Sequence, residues 1–66
     1  MNPARPAAYL NLGVDLDNSG DAAGALNCYN TAIFVDPQYP EAYFNRAYIW
    51  SSRHEYQKAF DDLTRF

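Results

Sequence analysis

Residues 34–47 read FVDPQYPEAYFNRA, and how this stretch is read decides the fold. Pro37 and Pro40 follow Asp36, with apolar residues at helical spacing on both sides. Proline drives the residue before it out of the α region, so Pro37 ends one helix; Pro40, with its fixed φ, suits the first turn of the next. The stretch is a joint between helices, and the joint has an echo. A shift of 34 residues lays Pro3 on Pro37, Pro6 on Pro40, Ala8 on Ala42, Tyr9 on Tyr43, Asn11 on Asn45 and Ala25 on Ala59. Residues 2–11, NPARPAAYLN, are thus an imperfect copy of residues 36–45, DPQYPEAYFN. The matches fall at helix starts, at core positions and at the small residue where two helices cross. Self-similarity of this period marks a repeat architecture.

Working outward, residues 6–19 set Tyr9, Leu12, Gly13 and Leu16 at helical spacing behind Pro6. Gly20 suits a left-handed helix end, and Asp21 suits the N-cap of a second helix over residues 22–35, with Ala25, Leu26, Tyr29, Ala32 and Ile33 on its apolar side. Pro40 opens a third helix over residues 40–53, with Glu41 in the first turn and Tyr43, Ala47 and Trp50 as its buried stripe. His54-Glu55 takes the place of Gly20-Asp21, so His54 is expected to adopt the left-handed conformation. Residues 56–66 then read as a fourth helix with Tyr56, Ala59, Phe60 and Leu63 inward. No segment alternates like a strand. The fold class is all-α, with two antiparallel helix pairs in series.

Composition limits the function classes. Sixty-six residues make one small domain near the lower limit for a self-sufficient core, and 17% aromatics argue against a disordered tail. The net charge of -3 and the lack of a Lys/Arg cluster leave no electrostatic footprint for nucleic acid or an anionic membrane. No apolar run is long enough to span a bilayer. Cys28 is the single cysteine, so neither an intrachain disulfide nor a multi-cysteine metal site can form, and a cytoplasmic location is expected.

The motif set resembles the tetratricopeptide repeat family. The first copy supplies Tyr9, Leu12, Gly13, Leu16, Ala25, Tyr29, Ala32 and Pro37 at matching spacing. The second supplies Tyr43, Ala47, Trp50, Ala59 and Leu63, with Arg46 where the family usually has Leu. The resemblance covers residues 3–66 and divides the chain into a first repeat at about residues 6–39 and a truncated second at about 40–66. It implies a superhelix whose first and third helices line a concave groove. The groove positions it implies are Ala7, Leu10, Asn11, Val14 and Asp17 in the first copy, and Glu41, Phe44, Asn45, Tyr48 and Ser51 in the second. A peptide or partner helix is the implied ligand, with the amides of Asn11 and Asn45 able to bond a backbone. For Leu10 and Phe44 two readings stay open, groove contact or packing between neighbouring helices. The carboxylate clamp of some relatives is not expected, because Leu10 and Val14 occupy its first-helix sites.

Catalysis is not expected. His54 lies at a turn away from the groove positions, and Cys28 sits beside core position Tyr29. Asp15 and Asp17 point to different helix faces, and the neighbouring Asp61 and Asp62 do not converge on a reacting atom. No metal ligands meet, no phosphate loop exists, and no cofactor is implied. A competing reading is structural. Phe60, Leu63 and Phe66 crowd the last helix, and the apolar edge expected there predicts either a fragment of a longer repeat array or homo-oligomerisation or swapping of helix pairs.

Overall fold

A computed structural model describes residues 5–65. The correspondence of Pro3 with Pro37 and the place of Phe66 lie outside these residues. Four helices follow one another: α1 (Pro6–Asn18), α2 (Ala22–Val35), α3 (Pro40–Ser52) and α4 (Tyr56–Leu63). No strand occurs among the described residues. α1 packs on α2 and α3 on α4, while α2 and α3 join the pairs and α1 touches α3 lightly. Three-residue turns within each pair leave the chain no room except to reverse direction. The chain has an all-α helical repeat fold.

The turns show why the two copies fold alike. At the end of α1, Gly20 takes φ 93°, the Gly20 N–H donates to Asp17 O at 3.0 Å, and the Asp21 N–H donates to Leu16 O at 2.8 Å. At the end of α3, His54 takes φ 63°, donating to Ser51 O at 3.0 Å, and Glu55 donates to Trp50 O at 2.8 Å. The same bond pattern satisfies the last carbonyls of both helices, so His54 carries the left-handed backbone that Gly20 adopts without steric cost. Asp21 caps α2, its Oδ1 accepting from the Gly24 N–H at 2.9 Å. The joint at Pro37 is closed from both sides. The Asp36 carboxylate accepts from the Gln38 N–H at 3.1 Å, and the Tyr43 hydroxyl donates to Pro37 O at 2.7 Å.

Small residues set the crossings: Ala25, Ala32, Ala42, Ala47 and Ala59 are buried. Gly13 is buried against α2, where an added Cβ would stand 2.5 Å from Tyr29 Cε1. The largest fully buried side chains are Tyr29 and Ile49. Ile49 was not on the stripe expected for α3. That helix has α2 on one side and α4 on another, so it is buried on two faces, and a single stripe captures only one of them.

α4 departs most from expectation. Tyr56, Phe60 and Leu63, expected inward, are exposed at 61%, 62% and 45%. Its buried residues are Ala59 and Asp62. The reason is geometric: among the described residues only α3 packs on α4, and it covers only the Ala59–Asp62 side. The helix also ends at Leu63 instead of running on, its last turn closed by Thr64 N–H to Phe60 O at 3.1 Å. On α1, Leu12 is exposed by half, whereas Tyr9 and Leu16 are partly buried.

Candidate functional site

The expected groove residues divide into two sets. On α1, Asn11 and Ala7 are exposed, and Leu10, Val14 and Asp17 are partly buried. Leu10 and Val14 pack against the cluster of Ala25, Leu26, Tyr29 and Ile49. On α3, Glu41, Phe44, Tyr48 and Ser51 are exposed, and Asn45 is partly buried. Equivalent positions in the two copies therefore meet different surroundings, with α3 lying over the first copy.

Phe44, Asn45, Tyr48 and Ser51 come together around an open depression of about 350 Å3, completed by Ala47 and Leu63. They recur at i, i+1, i+4 and i+7, which puts them on one side of α3. Phe44 and Tyr48 are 60% and 71% exposed. Leu63 reaches the depression from α4, and its place there was not legible in a reading that turned it inward.

Beside this face lies a polar network that sequence reasoning missed. Arg46 donates from Nε to Asp62 Oδ2 at 2.8 Å and from a terminal nitrogen to Asp62 Oδ1 at 2.6 Å. A third donation, at 2.8 Å, reaches Asn30 Oδ1 on α2. Trp50 Nε1 also donates to Asp62 Oδ2, at 3.0 Å. The Asp62 side chain is only 4% exposed. The bonds from Asp62 hold the Arg46 guanidinium above its ordinary pKa, outweighing the burial that opposes it. One buried carboxylate thus clamps α4 to α3, while Arg46 ties both to α2. The signal was present in the register. Leu12 becomes Arg46 and Cys28 becomes Asp62 across the 34-residue shift, so two apolar positions turn polar together.

The remaining reactive groups stay apart. His54 Nδ1 lies 2.7 Å from the Tyr56 hydroxyl at an exposed turn. Cys28 is partly buried on α2, its thiol pKa raised first by burial and then by Asp21. Asp61 accepts from Gln57 Nε2 at 3.0 Å. No group of three His, Cys, Asp or Glu that could hold a metal ion occurs among the described residues, and no described helix is long and apolar enough to cross a membrane.

A family model described as TPR repeat matches residues 18–50, from the end of α1 through most of α3. The chain belongs to the tetratricopeptide repeat family. It is similar to a tetratricopeptide repeat protein 36 homolog of Nematostella vectensis, 39% identical over 61 residues, which cover 92% of this chain and 34% of that relative. It is also similar to an uncharacterized protein of Methanocaldococcus jannaschii, 37% identical over 51 residues, or 77% of this chain and 59% of the relative. The chain therefore spans about a third of one relative and about three fifths of the other. Tetratricopeptide repeats are generally protein–protein interaction modules, and the exposed aromatics of α3 are the type of residue enriched where proteins meet.

Proposed function

We propose that this tetratricopeptide module, with copies at about residues 6–39 and 40–66, binds a protein partner through the face shared by α1 and α3. The contact residues are Leu10, Asn11, Val14 and Asp17 on α1, and Glu41, Phe44, Asn45, Tyr48 and Ser51 on α3. The observation that carries this reading is the depression beside Phe44 and Tyr48. Two exposed aromatics one helical turn apart supply apolar contact area at small entropic cost, and Asn45 and Ser51 supply adjacent hydrogen-bonding groups. A second reading, self-association, draws on the exposure of Phe60 and Leu63 on α4.

The test is selection of binders from a displayed library of random peptides, followed by measurement on the Phe44→Ala/Tyr48→Ala variant. Losing two aromatic anchors is expected to weaken the selected peptides by about tenfold or more. Peptides that bind the variant as they bind the wild type would place the contact elsewhere. Sedimentation at several concentrations separates the second reading, which requires a species larger than the monomer.

A further inference from the structure

Charge is shared unevenly along the chain. Residues 6–45 hold five of the eight carboxylates, Asp15, Asp17, Asp21, Asp36 and Glu41, and none of the five Lys and Arg residues. Residues 46–66 hold the other three carboxylates and four of the bases. The ion pairs among the described residues join Arg46 to Asp62 and Lys58 to Glu55. Of the five acids, Asp21 accepts from the Gly24 N–H and Asp36 from the Gln38 N–H. Asp15, Asp17 and Glu41 form no ion pair among the described residues. Asp15 and Asp17 also work against their own helix. They lie in the last turn of α1, where unsatisfied carbonyls make negative charge unfavourable. The fold does not require acid there, since the second copy has Ile49 and Ser51 at the equivalent positions. Charges that a helix disfavours and its repeat omits are candidates for a use outside the fold.

Asp17 shares one side of α1 with Leu10 and Val14, at i, i+4 and i+7. Glu41 shares one side of α3 with Phe44 and Tyr48, at i, i+3 and i+7. Both acids thus fall among the contact residues of the α1–α3 face, and those residues include no base. Neighbouring phenols register the negative potential. Burial and then Asp17 raise the pKa of Tyr29, and burial, then Glu41 and Asp36, raise that of Tyr39. We infer that the occupant of the α1–α3 face is a cationic segment of a partner protein, with one Lys or Arg at Asp17 and another at Glu41. This deepens the proposed function and rests on it, naming a basic segment as the ligand. The pairing uses α1 and α3 alone and does not depend on the surroundings of α4.

The repeat also sets the spacing of the two bases. Ser51, the counterpart of Asp17, stands ten residues after Glu41 on α3, which is roughly 15 Å along the helix. Asp17 lies one helix over, about 8–10 Å to the side, so Asp17 and Glu41 are roughly 15–20 Å apart. In an extended segment that distance separates two bases by about five or six residues. The amide oxygens of Asn11 and Asn45, on the same face, can accept from ammonium or guanidinium groups. Sign argues against the other occupants. A second copy of this chain, with its net charge of -3, brings like charge to the face, as nucleic acid or an anionic membrane would.

The probes are peptides selected on the full chain from a displayed random library, each also synthesised with every Lys and Arg replaced by Glu. The selected peptides are expected to carry two bases about five or six residues apart. Their Glu versions bind at least about tenfold more weakly. Asp17→Asn/Glu41→Gln in the chain weakens the selected peptides by about tenfold and flattens the dependence of binding on salt. Glu55→Gln/Asp61→Asn makes the same change in net charge at α4 and alters affinity by less than about twofold. Far-UV circular dichroism confirms that each variant is folded. Asp17→Asn alone leaves the melting temperature unchanged or raises it, because it removes a charge that α1 disfavours, so its loss of binding is not a loss of folding. Selected peptides that are neutral or acidic, or equal binding to the two double variants, overturn the inference. Peptides that depend on Phe44 and Tyr48 but lack the two bases sink the cationic reading alone. If no peptide is selected, the reading beneath it fails as well.

Discussion

Asp62→Ala is the sharpest test of how this small fold holds together. The Asp62 carboxylate accepts hydrogen bonds of 2.8, 2.6 and 3.0 Å from Arg46 and Trp50. Its removal leaves a guanidinium whose side chain is 19% exposed facing the space the carboxylate filled. Removing one partner of a buried ion pair costs about 3–5 kcal/mol. Arg46 keeps its bond to Asn30 and some access to water, which places the loss at the lower end, about 3 kcal/mol. A domain of 66 residues holds only about 3–10 kcal/mol in all. The variant should therefore unfold at much lower urea, with a melting temperature lower by roughly 12–24 °C. The control comes from the repeat itself. Arg46→Leu/Asp62→Cys installs the pair that the first copy carries as Leu12 and Cys28. Exchanging a buried ion pair for apolar groups is often near neutral, so the double variant is expected to recover at least about half of the loss. Urea unfolding followed by far-UV circular dichroism, under reducing conditions, measures both. A loss below about 1 kcal/mol for Asp62→Ala, or a double variant no more stable than the single one, refutes the view that the pair is costly to break and cheap to replace.

Two further outcomes follow from the α1–α2 contact. Gly13→Ala is expected to destabilise by about 1–3 kcal/mol in the same assay, although alanine is the better helix former, because its Cβ would meet the Tyr29 ring; a stabilised variant would show that Tyr29 can move aside. Stability should also fall in alkali. Burial, then Asp21, raises the Cys28 thiol above its ordinary 9.0, and burial, then Asp17 and Cys28, raises Tyr29 above 10.0. Both groups are neutral when protonated and keep their protons longer in the folded chain. Their contribution is thus intact below pH 9.0 and declines as pH rises through and beyond 10.0. Cys28→Ala and Tyr29→Phe should each reduce that decline, and a urea midpoint that stays level across this window contradicts the sign.

The sequence alone determined the helices, their turns and their repetition. These follow from local chemistry: a proline can only open or end a helix, and a left-handed residue must follow α1 and α3, which Gly20 and His54 both do. Periodicity also placed Ala25, Tyr29, Ala47 and Ala59 in the core correctly. Tertiary structure decided what periodicity does not carry, namely how many neighbours each helix has. Ile49 is buried because α3 lies between two helices, and Phe60 is exposed because, among the described residues, α4 has only one neighbouring helix. The clamp from Asp62 to Arg46 and Trp50 spans 16 and 12 residues of sequence and exists only once α3 and α4 are packed. The stretch FVDPQYPEAYFNRA carries both lessons. Its prolines declare a repeat joint from sequence alone. Only the packed structure shows that Phe44 of that stretch borders an open depression, while its counterpart Leu10 packs against the core that α3 completes.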